Sequence, residues 1–267
     1  MVRQSVVAGM FYPGDKKTLE RDLERLIQYS NLKKRVMGLI SPHAGYVYSG
    51  SCAGKGFGYV DVPESVIIIG VNHRGIGHPF AVDGSDHWNT PLGDCPVDTE
   101  LRAKLIAGSD VFAKDSQAGL EEHSVEVQVP FIQTINPDAK ILPITVSSMD
   151  FDELMIAGSE IANCLKDVKN DVLLVASTDM SHYIEAGTAE KEDHRAIEKI
   201  SALDPEGLFE VVVERRISMC GMSATAIMLK AAVELGATRS ELVEYTHSGK
   251  VSGDYNQVVA YLSLIVY

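Results

Sequence analysis

Cysteine is scarce and scattered in this sequence: Cys52, Cys95, Cys164 and Cys220 form no Cys-x-x-Cys pair. That speaks against a structural zinc knuckle or a thioredoxin-like motif, and makes a reduced compartment the simpler setting. Basic residues are outnumbered, 24 Lys and Arg against 37 Asp and Glu, for a formal net charge of -13. Proteins that track nucleic-acid backbones gain affinity by neutralising phosphates with Lys and Arg, so no nucleic-acid partner and no anionic membrane surface is expected. No apolar run approaches the roughly 20 residues that would span a bilayer, and Met1 to Met10 has no sustained apolar stretch of the secretory kind. The expected location is cytoplasmic. No Pro/Gly/Ser-rich linker, charge block, internal repeat or low-complexity tract divides the chain, so residues 1–267 are expected to form a single domain.

Hydrophobic residues make up 45% of the 267, enough for a core that buries roughly three quarters of the unfolded surface without disulfides. From Asp15 to Ser30, Leu19, Leu23, Leu26 and Ile27 recur at helical spacing with charged residues on the other face, the pattern of an amphipathic surface helix. Similar patterns predict helices over Thr99–Ala107, Phe151–Leu165, Ala189–Ala202, Pro205–Arg215 and Ser223–Leu235. Short β-branched runs at Val36–Ile40, Val66–Val71, Ile141–Val146 and Val172–Ala176 have the composition of strands buried on both faces. Two later runs, Leu242–Thr246 and Gln257–Val266, predict a C-terminal hairpin-like pair. The fold class is therefore α/β, with a mixed β-sheet flanked by helices on both faces. Glu122–Ile135 reads two ways: Val125, Val127, Val129 and Phe131 alternate like a strand, whereas Val125, Val129 and Ile132 fit a helix, and Pro130 favours neither.

Three strand-like runs end in polar clusters: Ser41-Pro42-His43-Ala44-Gly45, Asn72-His73-Arg74-Gly75 and Ser177-Thr178-Asp179-Met180-Ser181-His182. Ligands of open α/β sheets bind outside the carboxyl ends of strands. Neighbouring strands lie about 4.8 Å apart, so imidazoles on two such ends can reach one metal ion at about 2.0–2.1 Å each. His43 and His73 are the candidate pair. Cys220 stands just ahead of the helix pattern that contains Ala224, Ile227, Met228 and Ala231. The positive end of a helix dipole favours thiolate, the form that binds metal, and is expected to lower this thiol from about 8.5. Each residue also has a plainer reading: a single His after a strand is commonly a hydrogen-bonded loop residue, and a single Cys a small buried hydrophobe. Asp179 could cap the turn after its strand, and His123 could be an ordinary residue near a helix start. His194, among Lys191, Glu192, Asp193 and Arg195, reads as solvated, and His78, His87 and His247 have weaker context.

The segments Ala8-Gly9-Met10-Phe11-Tyr12-Pro13, Pro42-His43-Ala44-Gly45-Tyr46-Val47-Tyr48-Ser49-Gly50, Asn72-His73, Trp88-Asn89-Thr90-Pro91-Leu92-Gly93, Glu122-His123-Ser124-Val125-Glu126 and Asp179-Met180-Ser181-His182 together resemble the Memo family. The resemblance implies a fold similar to that of the class III extradiol ring-cleaving dioxygenases, which hold non-haem Fe(II) with two His and a carboxylate. It implies that His43 and His73 are the metal histidines and that Cys220 takes the third position. His123 and His182 then match the acid/base histidines beside the dioxygenase metal, and a helix is favoured over Glu122–Ile135. A thiolate in place of the carboxylate is softer and widens the choice to Cu or Zn as well as Fe, with no organic cofactor. Catechol ring cleavage therefore does not carry over.

The leading expectation is a metal-dependent redox protein in which His43, His73 and Cys220 bind Fe or Cu. His123 and His182 would move protons at the open positions, Asp179 would orient His182 or a bound water, and Tyr48 and Ser49 would line the pocket mouth. Memo proteins are also described as peptide- or phosphotyrosine-binding modules, and related chains occur beside radical-SAM proteins. The resemblance thus implies a small-molecule or peptide ligand and a radical-SAM protein as partner. A non-catalytic binding module is one alternative; a hydrolase, with zinc activating water or Cys220 as nucleophile, is the other.

Overall fold

The computed structural model describes residues 1–30, 36–168 and 171–267. In chain order the first elements are β1 (Val2–Arg3), α1 (Lys16–Leu26), β2 (Gly38–Ser41), α2 (Tyr46–Gly58), β3 (Ser65–Val71), β4 (Phe80–Val82), β5 (His87–Thr90), β6 (Gly93–Pro96), α3 (Thr99–Ala107) and β7 (Ala113–Lys114). A 3-10 turn at Glu126–Gln128 leads into α4 (Val129–Ile135), β8 (Lys140–Val146), α5 (Phe151–Leu165), β9 (Val172–Ser177) and β10 (Asp179–Ile184). The chain finishes with α6 (Ala186–Ser201), α7 (Pro205–Arg215), α8 (Met222–Glu234), β11 (Ser240–His247), α9 (Gly249–Ser252) and β12 (Val258–Val266).

The parallel strands β2, β9, β3 and β8 form the centre of a mixed sheet with the order β10, β12, β2, β9, β3, β8, β4, β7, and β11 pairs with β12. Val66, Ile67, Ile68 and Ile69 of β3 are no more than 1% exposed, as a strand covered on both faces requires. The two covers can be placed from β2. A Cβ on Gly38 would meet Met228 of α8, and one on Gly56 of α2 would meet Leu39. Gly38 and Leu39 are successive strand residues and face opposite sides, so α8 and α2 lie on opposite faces of the sheet. Both faces feed one contiguous apolar core that runs from Val7 to Val266.

At its carboxyl end β9 outruns β2. Thr178 N–H donates to the Ser41 carbonyl at 3.0 Å, and the chain then crosses beyond β2 to become β10. Asp179 pairs with Tyr261 in the first half of β12, while β2 pairs Ile40 with Leu264 in the second half. This crossing brings Asp179 over the end of β2, next to His43.

The predicted helices appear as α1, α3, α5, α6, α7 and α8, and the buried runs as β2, β3, β8 and β9. The C-terminal pair is β11 and β12, antiparallel as expected but joined through α9 rather than a tight turn. Within Glu122–Ile135 the helix prevails over the alternation, beginning only at Glu126, and Pro130 sits in the first turn of α4, where its missing N–H removes no helical bond. Neither α2 nor the short strands β1, β4, β5, β6, β7 and β10 were expected; β1, β5 and β6 form a separate three-stranded sheet.

Candidate metal centre

Because β2, β3 and β9 run parallel, their carboxyl ends lie on one side of the sheet and carry His43, His73 and Asp179 to a common region. His43 is 2% exposed. Its Nδ1 lies 3.0 Å from Ser177 Oγ. The Ser177 hydroxyl donates to the Ser124 carbonyl at 2.6 Å and accepts from Gln128 Nε2 at 2.9 Å. With its only proton spent, Ser177 can only accept from the imidazole, so the ring proton is on Nδ1 and Nε2 carries a lone pair. That Nε2 is 3.2 Å from Cys220 Sγ and 4.0 Å from Asp179 Oδ2.

His73 and His123 share a buried carboxylate. Glu122 Oε1 accepts from His73 Nδ1 at 2.9 Å and from Ser124 N–H at 2.8 Å, and stands 3.4 Å from His123 Nδ1. The other oxygen, Oε2, accepts from His73 N–H at 2.8 Å. The rings of His73 and His123 stack with centroids 4.7 Å apart, and each meets His43 edge-on at 5.4 Å. Phe11 covers His123 at 4.8 Å. Donor atoms of His43, His73 and His123 all lie within 4.8 Å of one another, the one such group of three among the described residues.

Electrostatics keep the imidazoles of His43 and His123 neutral. Burial, helped by the neighbouring His73, holds His43 down at about 3; burial, helped by His43, holds His123 at about 4. Burial alone would raise Glu122, but hydrogen bonding and charge attraction from His73 outweigh it and set the carboxyl at about 2. Burial raises Asp179, against the His43 N–H that its Oδ1 accepts at 2.8 Å.

Cys220 corrects an expectation. Its thiol is pushed up, not down, first by burial and then by the charge of Asp179. The residue precedes the Gly221 cap of α8 and its sulfur turns toward the end of β9, where Asp179 N–H approaches at 3.3 Å, so the helix dipole does not govern it. Gly221 permits this approach: a Cβ there would lie 2.5 Å from the Ser177 carbonyl oxygen. Cys220 also borders a cavity of 110 Å³ lined by Asn72, Ser147 and Met149, smaller than the about 150 Å³ that accepts a benzene ring.

The other expected site residues take varied places. His182 is held by Ser218, whose carbonyl accepts from Nδ1 at 2.9 Å and whose hydroxyl oxygen accepts its N–H at 2.8 Å. The carboxylate of Asp179 thus serves the His43 backbone, although the charge of His182 acts on both His43 and Asp179. Ser49 is buried and donates its hydroxyl to the Ala44 carbonyl at 2.8 Å, while Tyr48 is 45% exposed. Glu122, Ser177 and Gln128 carried no expectation. The Glu-His dipeptide at 122–123 was the available signal for the first and the polar cluster at the end of its strand for Ser177, whereas nothing local marked Gln128.

A family described as "Memo-like protein" matches residues 3–265. A MEMO1 family protein of Aquifex aeolicus is 39% identical over 266 residues, covering 99% of this chain and 98% of its own. One from Methanosarcina barkeri is 40% identical over 267 residues, covering 99% and 100%. The crystal structure of an uncharacterized protein of Escherichia coli K12 superposes with a TM-score of 0.55 at 14% identity, over 85% of this chain and 99% of that one, and shares the fold. The match over nearly the whole chain and the full-length similarity agree on one assignment: the chain belongs to the Memo family.

Proposed function

We propose that this protein binds one Fe, Cu or Zn ion through Nε2 of His43, Nε2 of His73 and Sγ of Cys220, and serves redox chemistry on a small molecule. The observation that carries the reading is the orientation of two rings. With Nδ1 facing Ser177 and Glu122, His43 and His73 turn bare Nε2 atoms into one cluster. Imidazole and thiolate together suit Fe, Cu and Zn better than harder cations. One edge of the donor set fits in size: the 3.2 Å between Cys220 Sγ and His43 Nε2 is near the length of about 3.5 Å set by a tetrahedral ion with bonds of about 2.3 and 2.0 Å. A cation bound to this thiol would displace its proton to solvent, which offsets the upward push of burial. Bound Fe or Cu would supply a redox couple, and Zn a Lewis acid.

The surrounding residues then have separate tasks. His43, neutral at pH 7, needs no deprotonation before it binds. His123, also neutral and held at about 4, stands beside the ligands as a weak base that would pass a proton on rather than hold it. His182, tied through Nδ1 to Ser218, keeps Nε2 for proton exchange, and Asp179 anchors the His43 backbone. Tyr48 is the exposed side chain available to an incoming ligand. A second reading, favoured by the 4.8 Å grouping, gives His123 the third ligand position in place of Cys220.

Titrating anaerobically prepared protein with Fe(II), Cu or Zn is expected to give saturable binding near one equivalent, and no saturation with any of the three sinks the proposal. Simple catechols are expected to be poor substrates, because a thiolate replaces the carboxylate of the ring-cleaving enzymes. An oxygen-dependent yellow ring-opened product at a useful rate contradicts this.

A further inference from the structure

Glu122 is 1% exposed, yet every hydrogen bond its carboxylate makes is to the groups that hold or flank the two histidines. We propose that Glu122 is a positioning residue that locks His73 in the tautomer with the proton on Nδ1, so that the ring presents a bare Nε2 to the histidine cluster. The consequence for metal affinity rests on the reading above; the tautomer claim does not.

Three N–H groups donate to the two oxygens: His73 N–H to Oε2, and His73 Nδ1 and Ser124 N–H to Oε1, while His123 Nδ1 stands 3.4 Å from Oε1, beyond ordinary N–H···O length. Two of the three are backbone amides that cannot change role, and one lies on each oxygen. A carboxylate accepts everywhere, so the His73 ring is free to place its proton on Nδ1 and is driven to do so. His123 stacks on the ring so fixed, with centroids 4.7 Å apart. Glu122 is itself fixed from behind, since Arg3 donates from Nη2 to the Glu122 carbonyl at 2.7 Å and from Nε to the Gly119 carbonyl at 3.1 Å. An amide in the same place must turn its NH₂ toward one oxygen position and so confront a backbone N–H whichever way it is flipped. With NH₂ at the Oε1 position the His73 ring is turned to accept at Nδ1, which moves its proton to Nε2 and blocks the lone pair.

The test is long-range ¹H–¹⁵N spectroscopy of metal-free protein with ¹⁵N-labelled histidine, beside Zn²⁺ titration. Wild-type His73 is expected to show Nδ1–H with unprotonated Nε2. Glu122→Gln is expected to shift that ring toward Nε2–H and to weaken Zn²⁺ about 10–100-fold, leaving the His43 tautomer, set by Ser177, unchanged. Glu122→Asp, which keeps an acceptor, should retain the Nδ1–H signature and serves as the readable variant if Gln does not fold. A wild-type His73 found as Nε2–H, or a Gln variant with the His73 tautomer and Zn²⁺ affinity intact, overturns the proposal. The expected wild-type tautomer without Zn²⁺ binding supports it and counts against the metal reading alone.

Discussion

At the residue scale the buried histidines make an acid-sensitive protein. His43 and His123 are held at about 3 and about 4 in the fold, whereas in the unfolded chain they titrate near the ordinary histidine value of about 6.5. Below that value the unfolded chain binds protons that the folded one refuses, so their contribution to stability is present above about 6.5 and is lost as the pH falls toward the folded values. Each ring changes stability by at most about 1.4 kcal/mol per pH unit in that window. Asp179, raised by burial, works in the opposite sense. Urea unfolding of metal-free protein between pH 6.5 and 5 should show a falling midpoint, and His43→Asn, with one titrating ring removed, should roughly halve the fall. A flat profile contradicts the neutral assignment. At this scale the meeting of His43 and His73 was legible, because each closely follows a buried strand of the parallel sheet. The state of Cys220 was not, because it is fixed by Asp179 and by the end of β9, some 40 residues away.

At the element scale the buried strands and amphipathic helices announced themselves through period, whereas α2 did not. It carries Gly50, Gly54, Gly56 and Gly58, each of which lowers helix propensity by about 1 kcal/mol relative to Ala. Contact with other elements explains them. A Cβ on Gly54 would stand 2.2 Å from the Leu26 carbonyl oxygen, so the glycine lets α2 press against the end of α1, and α2 in turn starts two residues after Ala44, beside His43. Gly54→Ala is expected to destabilise by about 1–3 kcal/mol, despite the better helix former, with the loss read from denaturant midpoints. Unchanged or raised stability contradicts this packing. The short strands β4, β5, β6 and β7 escaped notice because two to four residues cannot establish an alternation.

At the scale of the whole molecule, the site depends on segments remote in sequence. Arg3, 4% exposed, forms a buried ion pair with Glu126 and lies over the Trp88 ring at 4.1 Å. Val6 and Val7 N–H groups and the Tyr12 hydroxyl complete the bonding of Glu126. The N-terminal segment thereby clamps the loop that bears Glu122 and His123. Removing one partner of a buried pair costs about 3 kcal/mol or more, so Arg3→Met should lower Tm by roughly 6 °C and weaken metal binding through the loosened loop. An unchanged Tm contradicts the clamp. None of this was legible in sequence, since the partners are more than 100 residues apart and no local pattern links an Arg in a two-residue strand to a Glu in a 3-10 turn.

The most direct test of the metal assignment is to load alanine variants anaerobically at saturating metal and measure metal per chain. His43→Ala, His73→Ala and Cys220→Ala each remove a direct bond and should load poorly, well below one equivalent. His123→Ala and His182→Ala should load fully, with any loss confined to proton transfer, a contribution of about 10²–10⁴ in rate. If His123→Ala fails to load while Cys220→Ala loads, the three imidazoles are the ligand set; if His43→Ala loads like wild type, the site is not built around the ends of β2 and β3 and the account is wrong.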